Sequence, residues 1–542
     1  MNQTNILHKD YTINRKFYQL KLPINIDYMI PSNDSVRLLS QFVEEMDLSD
    51  LYKTYSKVKE NQASPRKLLK IILYGYMNKI YSSRDIEKAC YRDINFMYLL
   101  EDSKVPDHST FARFRSLHFA PCATRILSKA SNFLYDIGEI SGEAIFIDGT
   151  KIEASSNKYT FVWKKAVTKN MKRLLIKISD FVSECNELYG IKIGYRNIIK
   201  LKDIKKLRKK LYKIKKSENI TFVHGRGKRK TAIQNSIETL EEYCNKLKEY
   251  TNKIHLCGNR NSYSKTDKDA TFMRMKEDAM KNGQLKPAYN LQHGVDSEYI
   301  TWLTIGPQPT DTTTFILFLK SMEESLKFKY LKIVADSGYE SEENYSFIED
   351  NNQISFIKPA NYEISKTRKY QNDISKIENM KYNYDDDYYT CQNNKRLYST
   401  NTLTRKSKTG FKSRKTIYKC EYCSNCRYKS NCIKGYNCKI PLEQRTKKLE
   451  TSKKFNHQRK EVLERIISTE GCELRMNRSI QAEGSFAELK QDMRFRRFLC
   501  QCKENVLAES ILLALAHNIN KLHNKIQSGK TGTHLFHIKK IA

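Results

Sequence analysis

Residues 143–153 have the sequence Glu-Ala-Ile-Phe-Ile-Asp-Gly-Thr-Lys-Ile-Glu, and the interpretation of the whole chain depends on this stretch. Four consecutive apolar residues precede Asp148 and Gly149, a pattern that is typical of a buried strand followed by a turn. Helical patterns flank the stretch, from about residue 33 to 135 and from about 164 to 260. We therefore predict that it contains the first strand of a sheet and that Asp148 lies at the carboxyl end of that strand.

Further strands are predicted beyond the second helical region. Strand-like runs occupy 288–293, 299–305, 330–336 and 354–358, and amphipathic helical patterns occupy 311–326 and 341–350. This alternation predicts a mixed α/β sheet with helices packed on it. The third run ends in Asp336, followed by Ser337 and Gly338, so Asp336 has the same predicted position as Asp148. Long amphipathic helices return between residues 479 and 527.

The first helical region predicts a compact all-helical unit. Apolar residues recur at helical spacing, and Ser109 precedes a helix that carries Arg113 and Arg115. A helical unit that ends in an arginine-bearing helix suits DNA binding. Periodicity alone fits a packing or dimerisation module equally well.

The second helical region contains two heptad-like segments separated by a lysine-rich stretch at 200–216. Apolar residues in both segments step by three and four, which predicts an antiparallel helical arm inserted into the sheet domain. The lysine-rich stretch is either a solvated face or a contact with the DNA backbone.

Asp148 and Asp336 form a candidate metal site. Ligands bind beyond the carboxyl ends of strands in open α/β sheets. Two carboxylates that point the same way repel each other, and a cation between them would relieve this repulsion. Oxygen ligands without His or Cys favour Mg²⁺ or Mn²⁺ over zinc. The alternative is that each Asp caps a turn.

A third acidic ligand is expected on a helix near residue 483. Glu483 and Lys490 are separated by almost two helical turns and share a face, where Lys490 could hold a phosphate beside a metal-bound carboxylate. Glu488 lies about 140° away by the same geometry, so we predict a surface position for it. Arginines at 494, 496 and 497 alternate with phenylalanines at 495 and 498, which suggests a strip that contacts the DNA backbone.

The net charge indicates a polyanionic partner. Lys and Arg total 97 against 61 Asp and Glu, giving a formal charge of +36 at pH 7 and an isoelectric point near 9.5. Each Lys or Arg that meets a phosphate releases a condensed counterion, so nucleic acid is favoured. An acidic metabolite as the only substrate would not need this excess. The alternative is a basic host proteome or a drift toward lysine.

No segment of the sequence predicts export or membrane insertion. The first 18 residues lack the apolar region of a secretory signal. The longest apolar runs, 68–77 and 510–516, are too short to span a bilayer. We therefore expect a cytoplasmic protein, in which the fourteen cysteines are reduced thiols or metal ligands.

Five cysteines are concentrated in a polar, Tyr- and Lys-rich segment between about 360 and 450: Cys420, Cys423, Cys426, Cys432 and Cys438. Cys-x2-Cys pairs with further cysteines close by have zinc-ligand spacing, and four thiolates form a closed structural site. Reduced cysteines without metal are the alternative. We expect this segment to be an insertion rather than part of the sheet core.

Three acidic blocks resemble those of a known enzyme family. FIDGTKIEA around Asp148, VADSGYES around Asp336 and NRSIQAEGSFAELKQDMRFRRF around Glu483 resemble the blocks of DDE transposases of the IS4-like superfamily, specifically of the IS1182 type. YGYMNKIYSSRDIEKACYRDINFMYLLEDSKVPDHSTFARFR resembles their N-terminal domain, and the resemblance runs from about residue 20 to 525. The related Tyr-Arg-Glu-Lys signature is incomplete, because Met476 and Ser479 occupy the Tyr and Arg positions.

The resemblance implies a ribonuclease-H-like catalytic domain. It implies that Asp148, Asp336 and Glu483 hold two Mg²⁺ or Mn²⁺ ions about 3.5–4 Å apart. The expected activity is cleavage of terminal inverted repeats of an insertion sequence and their transfer to target DNA, by a homodimer on double-stranded DNA. The alternatives are a DNA nuclease without strand transfer and an inactive DNA-binding protein. The residues expected to contact DNA are Arg113, Arg115, Lys151, Arg478, Lys490, Arg494, Arg496 and Arg497.

The predicted fold is thus a ribonuclease-H-like mixed α/β sheet flanked by helices, with an all-helical N-terminal domain, an inserted helical arm and a cysteine-rich insertion that binds one structural Zn²⁺ if its thiols are ligands. The predicted domains are 1–135 (helical), 140–163 and 261–360 (catalytic), 164–260 (arm), 361–470 (insertion) and 471–542 (remainder of the catalytic domain with the Glu-bearing helix).

Overall fold

The computed structural model describes residues 27, 29–56, 62–194, 199–225, 227–275, 283–435, 438 and 440–537. The N-terminal segment considered above for a secretory signal lies outside the described residues.

The N-terminal region is helical, as predicted. Its helices are α1 (Ser35–Glu45), α2 (Ser49–Tyr52), α3 (Pro65–Met77), α4 (Ser83–Arg92), α5 (Ile94–Leu100), α6 (His108–Arg113) and α7 (Ala123–Asp136). Side-chain caps fix several starts: Asp34 accepts from the backbone of Val36, and Ser64 caps α3 directly before Pro65. The helix expected to start after Ser109 is capped instead by Asp107, which accepts from the backbone N–H of Thr110.

The remaining elements follow in chain order. The strands are β1 (Ala144–Glu153), β2 (Phe161–Trp163), β3 (Ser262–Ser264), β4 (Thr271–Arg274), β5 (Leu285–Asp296), β6 (Tyr299–Gly306), β7 (Lys332–Ala335), β8 (Ile354–Ile357), β9 (Lys381–Asn383), β10 (Tyr388–Thr390), β11 (Arg396–Lys406), β12 (Lys412–Cys420) and β13 (Lys448–Thr451). The helices are α8 (Lys164–Tyr189), α9 (Leu201–Ser217), α10 (Ala232–Cys257), α11 (Phe315–Glu323), α12 (Glu342–Asp350), α13 (Tyr362–Ser365), α14 (Arg368–Gln371), α15 (Lys429–Cys432), α16 (Lys453–Ile467), α17 (Thr469–Arg478), α18 (Gly484–Ala487) and α19 (Lys503–Gln527).

The predicted mixed sheet is present. β1 lies between β5, which is antiparallel to it, and β7, which is parallel, and β8 continues the sheet parallel to β7. β4 and β6 both pair with β5. The sheet shares one core with the N-terminal helices and with α19, whose buried face is apolar.

β1 is longer than predicted. Its parallel pairing with β7 ends at Ile147 opposite Ala335, but its antiparallel pairing with β5 continues to Glu153 opposite Ala288. Asp148 therefore lies within β1, at the point where one of its two partner strands ends. The apolar run corresponds to the part of β1 that pairs with β7, and the sequence gave no sign of the part that pairs with β5 alone.

The arm differs from the two-segment prediction. The lysine-rich stretch expected to separate two helical segments is itself the helix α9. Ile204, Leu207 and Leu211 are buried on one face of α9 and join a core with α8 and α10 that is separate from the main core. The lysines lie on the remaining faces of α9. Because they outnumber its apolar residues, the amphipathic pattern of this helix was not recognised in the sequence.

The cysteine-rich insertion contains a sheet that the sequence did not predict. β9 to β13 form an antiparallel sheet in the order β13-β12-β11-β10-β9. Most side chains of β11 are exposed and polar, so the strand lacks the apolar alternation that would reveal it. The following helix α16 packs on the central domain, where Arg459 pairs with Glu340 at 2.7 Å. The insertion thus ends structurally near residue 452 rather than 470.

Among the described residues, no helix combines the length and apolar character needed to cross a bilayer.

Candidate active site

Asp148 and Asp336 lie side by side on neighbouring parallel strands. The ladder between β1 and β7 ends with Ile147 opposite Ala335, and the next residue of each chain segment is the aspartate. Adjacent strands lie about 4.8 Å apart. Each carboxylate also accepts a nearby backbone N–H: Asp148 from Gly149 at 2.9 Å and Asp336 from Gly338 at 2.8 Å. The alternative of turn capping therefore holds for Asp336, whereas Asp148 lies within β1.

The electrostatics of Asp148 show that a third carboxylate is close. The pKa of Asp148 is raised to about 6, chiefly by burial; the negative charges of Asp336 and Glu483 also raise it, whereas the Gly149 N–H and Arg478 lower it. A carboxyl with this environment binds a proton or a cation readily because its ionised form is poorly compensated. The three acidic residues expected from the sequence are thus near enough for the charges of Asp336 and Glu483 to affect the pKa of Asp148.

Glu483 is positioned by an irregular helix. α17 continues into a π-helical turn at Ser479–Glu483, then α18, then a second π-helical turn at Glu488–Asp492. Such π turns are rare and occur frequently at functional sites. The side chain of Glu483 is 51% exposed, and Arg478 Nη2 donates to its Oε1 at 2.5 Å. The regular 3.6-residue geometry used for the prediction does not apply across these turns.

The predicted surface position of Glu488 is wrong. Its side chain is only 22% exposed, and Oε1 lies 3.2 Å from His517 Nδ1 on α19. Lys521 Nζ lies 3.7 Å from Oε2. Burial opposes ionisation, but the charges of His517 and Lys521 prevail and lower the pKa of Glu488 to about 2. Glu488 therefore ties the irregular helix to α19.

Asp311 is a fourth carboxylate at the site, and the sequence analysis missed it. A Cβ on Gly149 would lie 2.8 Å from Asp311 Oδ1, and a Cβ on Gly338 would lie 3.7 Å from Oδ2. The Asp311 carboxylate thus lies near Gly149, which follows Asp148 on β1, and near Gly338 in the turn after Asp336. The sequence pattern predicted Asp311 only as the start of a helix. Asn290 and Gln292 on β5 donate to its Oδ1 at 2.7 and 2.9 Å. These polar residues in a buried strand were the signal that the sequence offered.

A basic cavity adjoins the carboxylates. It has a volume of about 310 Å³ and is bordered by Gly149, Glu153 and Asp311. Its cationic lining consists of Lys151, Lys286, Lys490 and Arg496. Some of these groups have partners within the protein: Lys286 pairs with Glu153 at 2.9 Å, and Lys151 Nζ donates to the carbonyl of Arg274 at 3.2 Å. The cavity places predicted DNA contacts (Lys151, Lys490 and Arg496) next to the acidic cluster.

The other predicted DNA contacts have different surroundings. Arg113 and Arg494 are exposed, and Arg478 is the partner of Glu483. Arg497 donates to the carbonyls of residues 154 and 156 at 3.3 and 3.2 Å, although its side chain is 54% exposed. The prediction that Arg115 contacts DNA is wrong. Arg115 is buried and donates to Tyr81 O at 3.0 Å, so its guanidinium makes contacts within the protein.

Metal ligands are not preassembled in this structure. Within the described ranges, no group of three or more His, Cys, Asp or Glu side chains is arranged so that it could hold a metal ion. At the carboxylate site, the Glu483 carboxylate accepts a hydrogen bond from Arg478, so it is paired with a cationic side chain within the protein. Asp148, Asp336 and Glu483 offer the oxygen donors that Mg²⁺ and Mn²⁺ prefer, so the donor set fits even though the geometry is not closed.

The cysteine cluster is only partly as predicted. A small cavity of about 20 Å³ is lined by Cys420, Cys423, Cys426 and Cys432 from the predicted set. It is also lined by Cys391, which the prediction left out. Cys438 does not line the cavity and is exposed. Cys90, Cys122, Cys185 and Cys244 are buried in helical cores, as expected.

Two family models match the chain. A transposase domain (DUF772) matches residues 24–117, within the helical N-terminal region. A transposase DDE domain matches residues 390–523, which include most of the cysteine-rich insertion and the helix of Glu483. Together they indicate a DDE transposase with an IS1182-like architecture, an enzyme that acts on DNA. No curated protein and no solved structure matches the chain.

Proposed function

We propose that the chain cleaves the terminal inverted repeats of an insertion sequence and joins them to target DNA, with Asp148, Asp336 and Glu483 as its metal ligands. The observation that carries this proposal is the register of β1 and β7, which places two aspartates in adjacent rows. Glu483 is near enough to raise the pKa of Asp148. Three carboxylates from distant parts of the chain have no evident structural reason to converge.

The ligands would hold two Mg²⁺ or Mn²⁺ ions. When bound, these ions supply an activated water or 3′-hydroxyl and neutralise charge on the departing oxygen. Asp148 and Asp336 are fixed by the sheet, whereas Glu483 is half exposed and paired with Arg478. We infer that Glu483 leaves Arg478 when it joins the site, which frees the guanidinium for a phosphate.

Asp311 acts as a positioning residue in this proposal. It holds the side-chain amides of Asn290 and Gln292, and Gln292 accepts a hydrogen bond from the hydroxyl of Tyr339. This network joins β5 to the turn that follows Asp336, in which Tyr339 lies. Outer partners of this kind orient metal-binding carboxylates.

The basic cavity is proposed to hold the phosphodiester backbone. Lys490 and Arg496 come from the irregular helix and the segment after it, and Lys151 from β1. Positive side chains fixed beside a scissile phosphate stabilise the charge of the transition state without taking part as nucleophiles. Arg494 and Arg497 are proposed to extend this surface, because Phe495 and Phe498 are buried and leave the arginines outside.

The catalytic domain is proposed to be ribonuclease-H-like and of the IS4-like superfamily. Support comes from the strand arrangement, with β1 between an antiparallel β5 and a parallel β7, and from an aspartate on each of the two parallel strands. The homodimer on DNA remains a prediction, which light scattering of the protein–DNA complex would test.

The test uses labelled repeat-end DNA, a supercoiled target and Mg²⁺. Joined products are expected from the wild-type chain. Cleaved but unjoined ends would indicate a nuclease without strand transfer. Shifted bands without cleavage would indicate an inactive DNA-binding protein. Either result contradicts the proposal.

A further inference from the structure

The insertion brings thiols from separate segments around one small cavity. Cys391 lies in the turn after β10, Cys423 and Cys426 lie in the loop after β12, and Cys432 ends α15. The cavity volume of about 20 Å³ corresponds to a single water-sized occupant. Five cysteines are among the residues that line this space.

One of the lining thiols has another role. Cys420 is 2% exposed and belongs to the small apolar core of the insertion, next to Leu397 and Tyr418. Its Sγ lies 3.5 Å from the carbonyl of Tyr422, to which the thiol donates. The other four thiols are less buried and come from the cavity rim. They number as many as a closed tetrahedral site requires.

The spacing of these four fits zinc. Cys423 and Cys426 form a Cys-x2-Cys pair, and the other two come from separate elements. The Cys391 turn is tight: Asn394 has φ of +52°, and its N–H donates to the Cys391 carbonyl at 2.9 Å. This hairpin turn and the Cys-x2-Cys loop face the same cavity.

The charge around the cavity also suits a zinc tetrathiolate, which carries two net negative charges. Lys447 is buried at 8% exposure, and its Nζ donates to the carbonyls of Ser375 and Cys432 at 2.8 and 2.9 Å. The backbone N–H of Lys447 donates to Cys423 Sγ at 3.4 Å. Hydrogen bonds to ligand sulfur and nearby cations support metal sites of this type.

We propose that one structural zinc ion is bound in this cavity by four thiolates, those of Cys391, Cys423, Cys426 and Cys432. The thiols do not form a closed polyhedron as they stand. Zinc would draw them onto a common centre by side-chain rotation. The ion would fasten the loop after β12 to the β10–β11 hairpin. A sheet with so small an apolar core gains from such a link.

The proposal does not depend on the transposase activity, and its test measures metal content. The full chain is purified without added metal or chelator, and zinc is measured by inductively coupled plasma mass spectrometry. One zinc ion per chain is expected. Cys391→Ser and Cys423→Ser should each lose most of it. Less than a tenth of an ion in the wild-type chain overturns the proposal.

Two matched controls give the test its resolution. Cys438→Ser changes an exposed cysteine of the same segment, and Asp148→Asn changes the carboxylate site; both should keep one zinc ion. If Cys391→Ser retains full zinc or Cys438→Ser loses it, the assigned ligand set is wrong. Should a variant fold poorly, Co²⁺ replaces zinc in the wild-type chain. Absorption bands of tetrahedral cobalt thiolate are then expected, and their absence contradicts the site.

Discussion

The candidate carboxylate site was predicted from aspartates that follow apolar strands and the candidate thiol site from cysteine spacing, and the structure positions the residues of the two sites differently. At the carboxylate site, each of two aspartates follows its own apolar strand, and parallel pairing fixes them side by side. At the thiol site, the ligands lie on turns and loops of a polar sheet, and one of them comes from a different hairpin. The comparison teaches that strand pairing can align residues that a local pattern marks, whereas turns and loops can add a residue that sequence spacing leaves out.

The largest expected effect is the loss of chemistry at the carboxylate site. Asp148→Asn, Asp336→Asn and Glu483→Gln should each reduce strand cleavage by roughly a thousandfold or more, because metal-borne stabilisation contributes several kcal/mol. Binding of repeat-end DNA should persist in a gel-shift assay. Asp350→Asn, at the exposed end of α12, is the control and should cleave normally. Normal cleavage by any of the three variants would remove that residue from the site.

Asp311 should have an intermediate effect. Asp311→Asn keeps the shape of the side chain but weakens its hold on Asn290 and Gln292, so cleavage should fall about 10- to 100-fold. Because Asp311 is assigned to positioning, the Mg²⁺ concentration for half-maximal cleavage should also rise. A metal titration of cleavage rate measures both. An unchanged metal requirement together with a total loss of activity would instead make Asp311 a direct ligand.

The thiol site should affect stability locally. Cys391→Ser should speed hydrogen exchange in β10, β11 and the loop after β12, because the metal link is lost. Exchange in β1 and β7 should stay unchanged, since those strands belong to a separate core. Mass spectrometry of deuterated peptides measures this, with Cys438→Ser as the control. Equal exchange in both variants would show that the cavity thiols do not stabilise the sheet.

The smallest expected effect concerns pH. Asp148 has a pKa of about 6 instead of 3.8, so the folded state binds its proton more tightly than the unfolded state does. Its contribution to stability is therefore complete below about pH 4 and is lost as the pH rises through 6, a change of at most about 3 kcal/mol. Without metal, Asp148→Asn should gain free energy of unfolding relative to the wild-type chain between pH 4.5 and 8. Urea unfolding in a chelator at both pH values tests this; a constant difference would contradict the shifted pKa.

Sequence patterns predicted most strands of the central sheet and marked Asp148 and Asp336 beside two of them, because apolar strands and their flanking aspartates are local signals. The sequence failed where tertiary contacts decide. The length of β1 depends on β5, and the helix around Glu483 contains π turns that a uniform 3.6-residue period does not anticipate. Glu488 looked exposed by that period but meets His517.

Two other misses have a common cause. Asp311 and Cys391 are isolated in sequence from the residues they join, so spacing gives them no special role. Asp311 is identified by its contacts with β5, and Cys391 by the hairpin that turns it toward the cavity. The prediction for Arg115 was wrong for a different reason. Its helical conformation was predicted, but its side chain is buried and is not available to DNA.

Crystals of the full chain grown with Mn²⁺ and repeat-end DNA would test the central claim most directly, through the anomalous signal of manganese. The account predicts manganese between the carboxylates of Asp148 and Asp336, with Glu483 turned away from Arg478 and onto the metal. Manganese bound elsewhere, with Glu483 still paired to Arg478 in the presence of DNA, would contradict it.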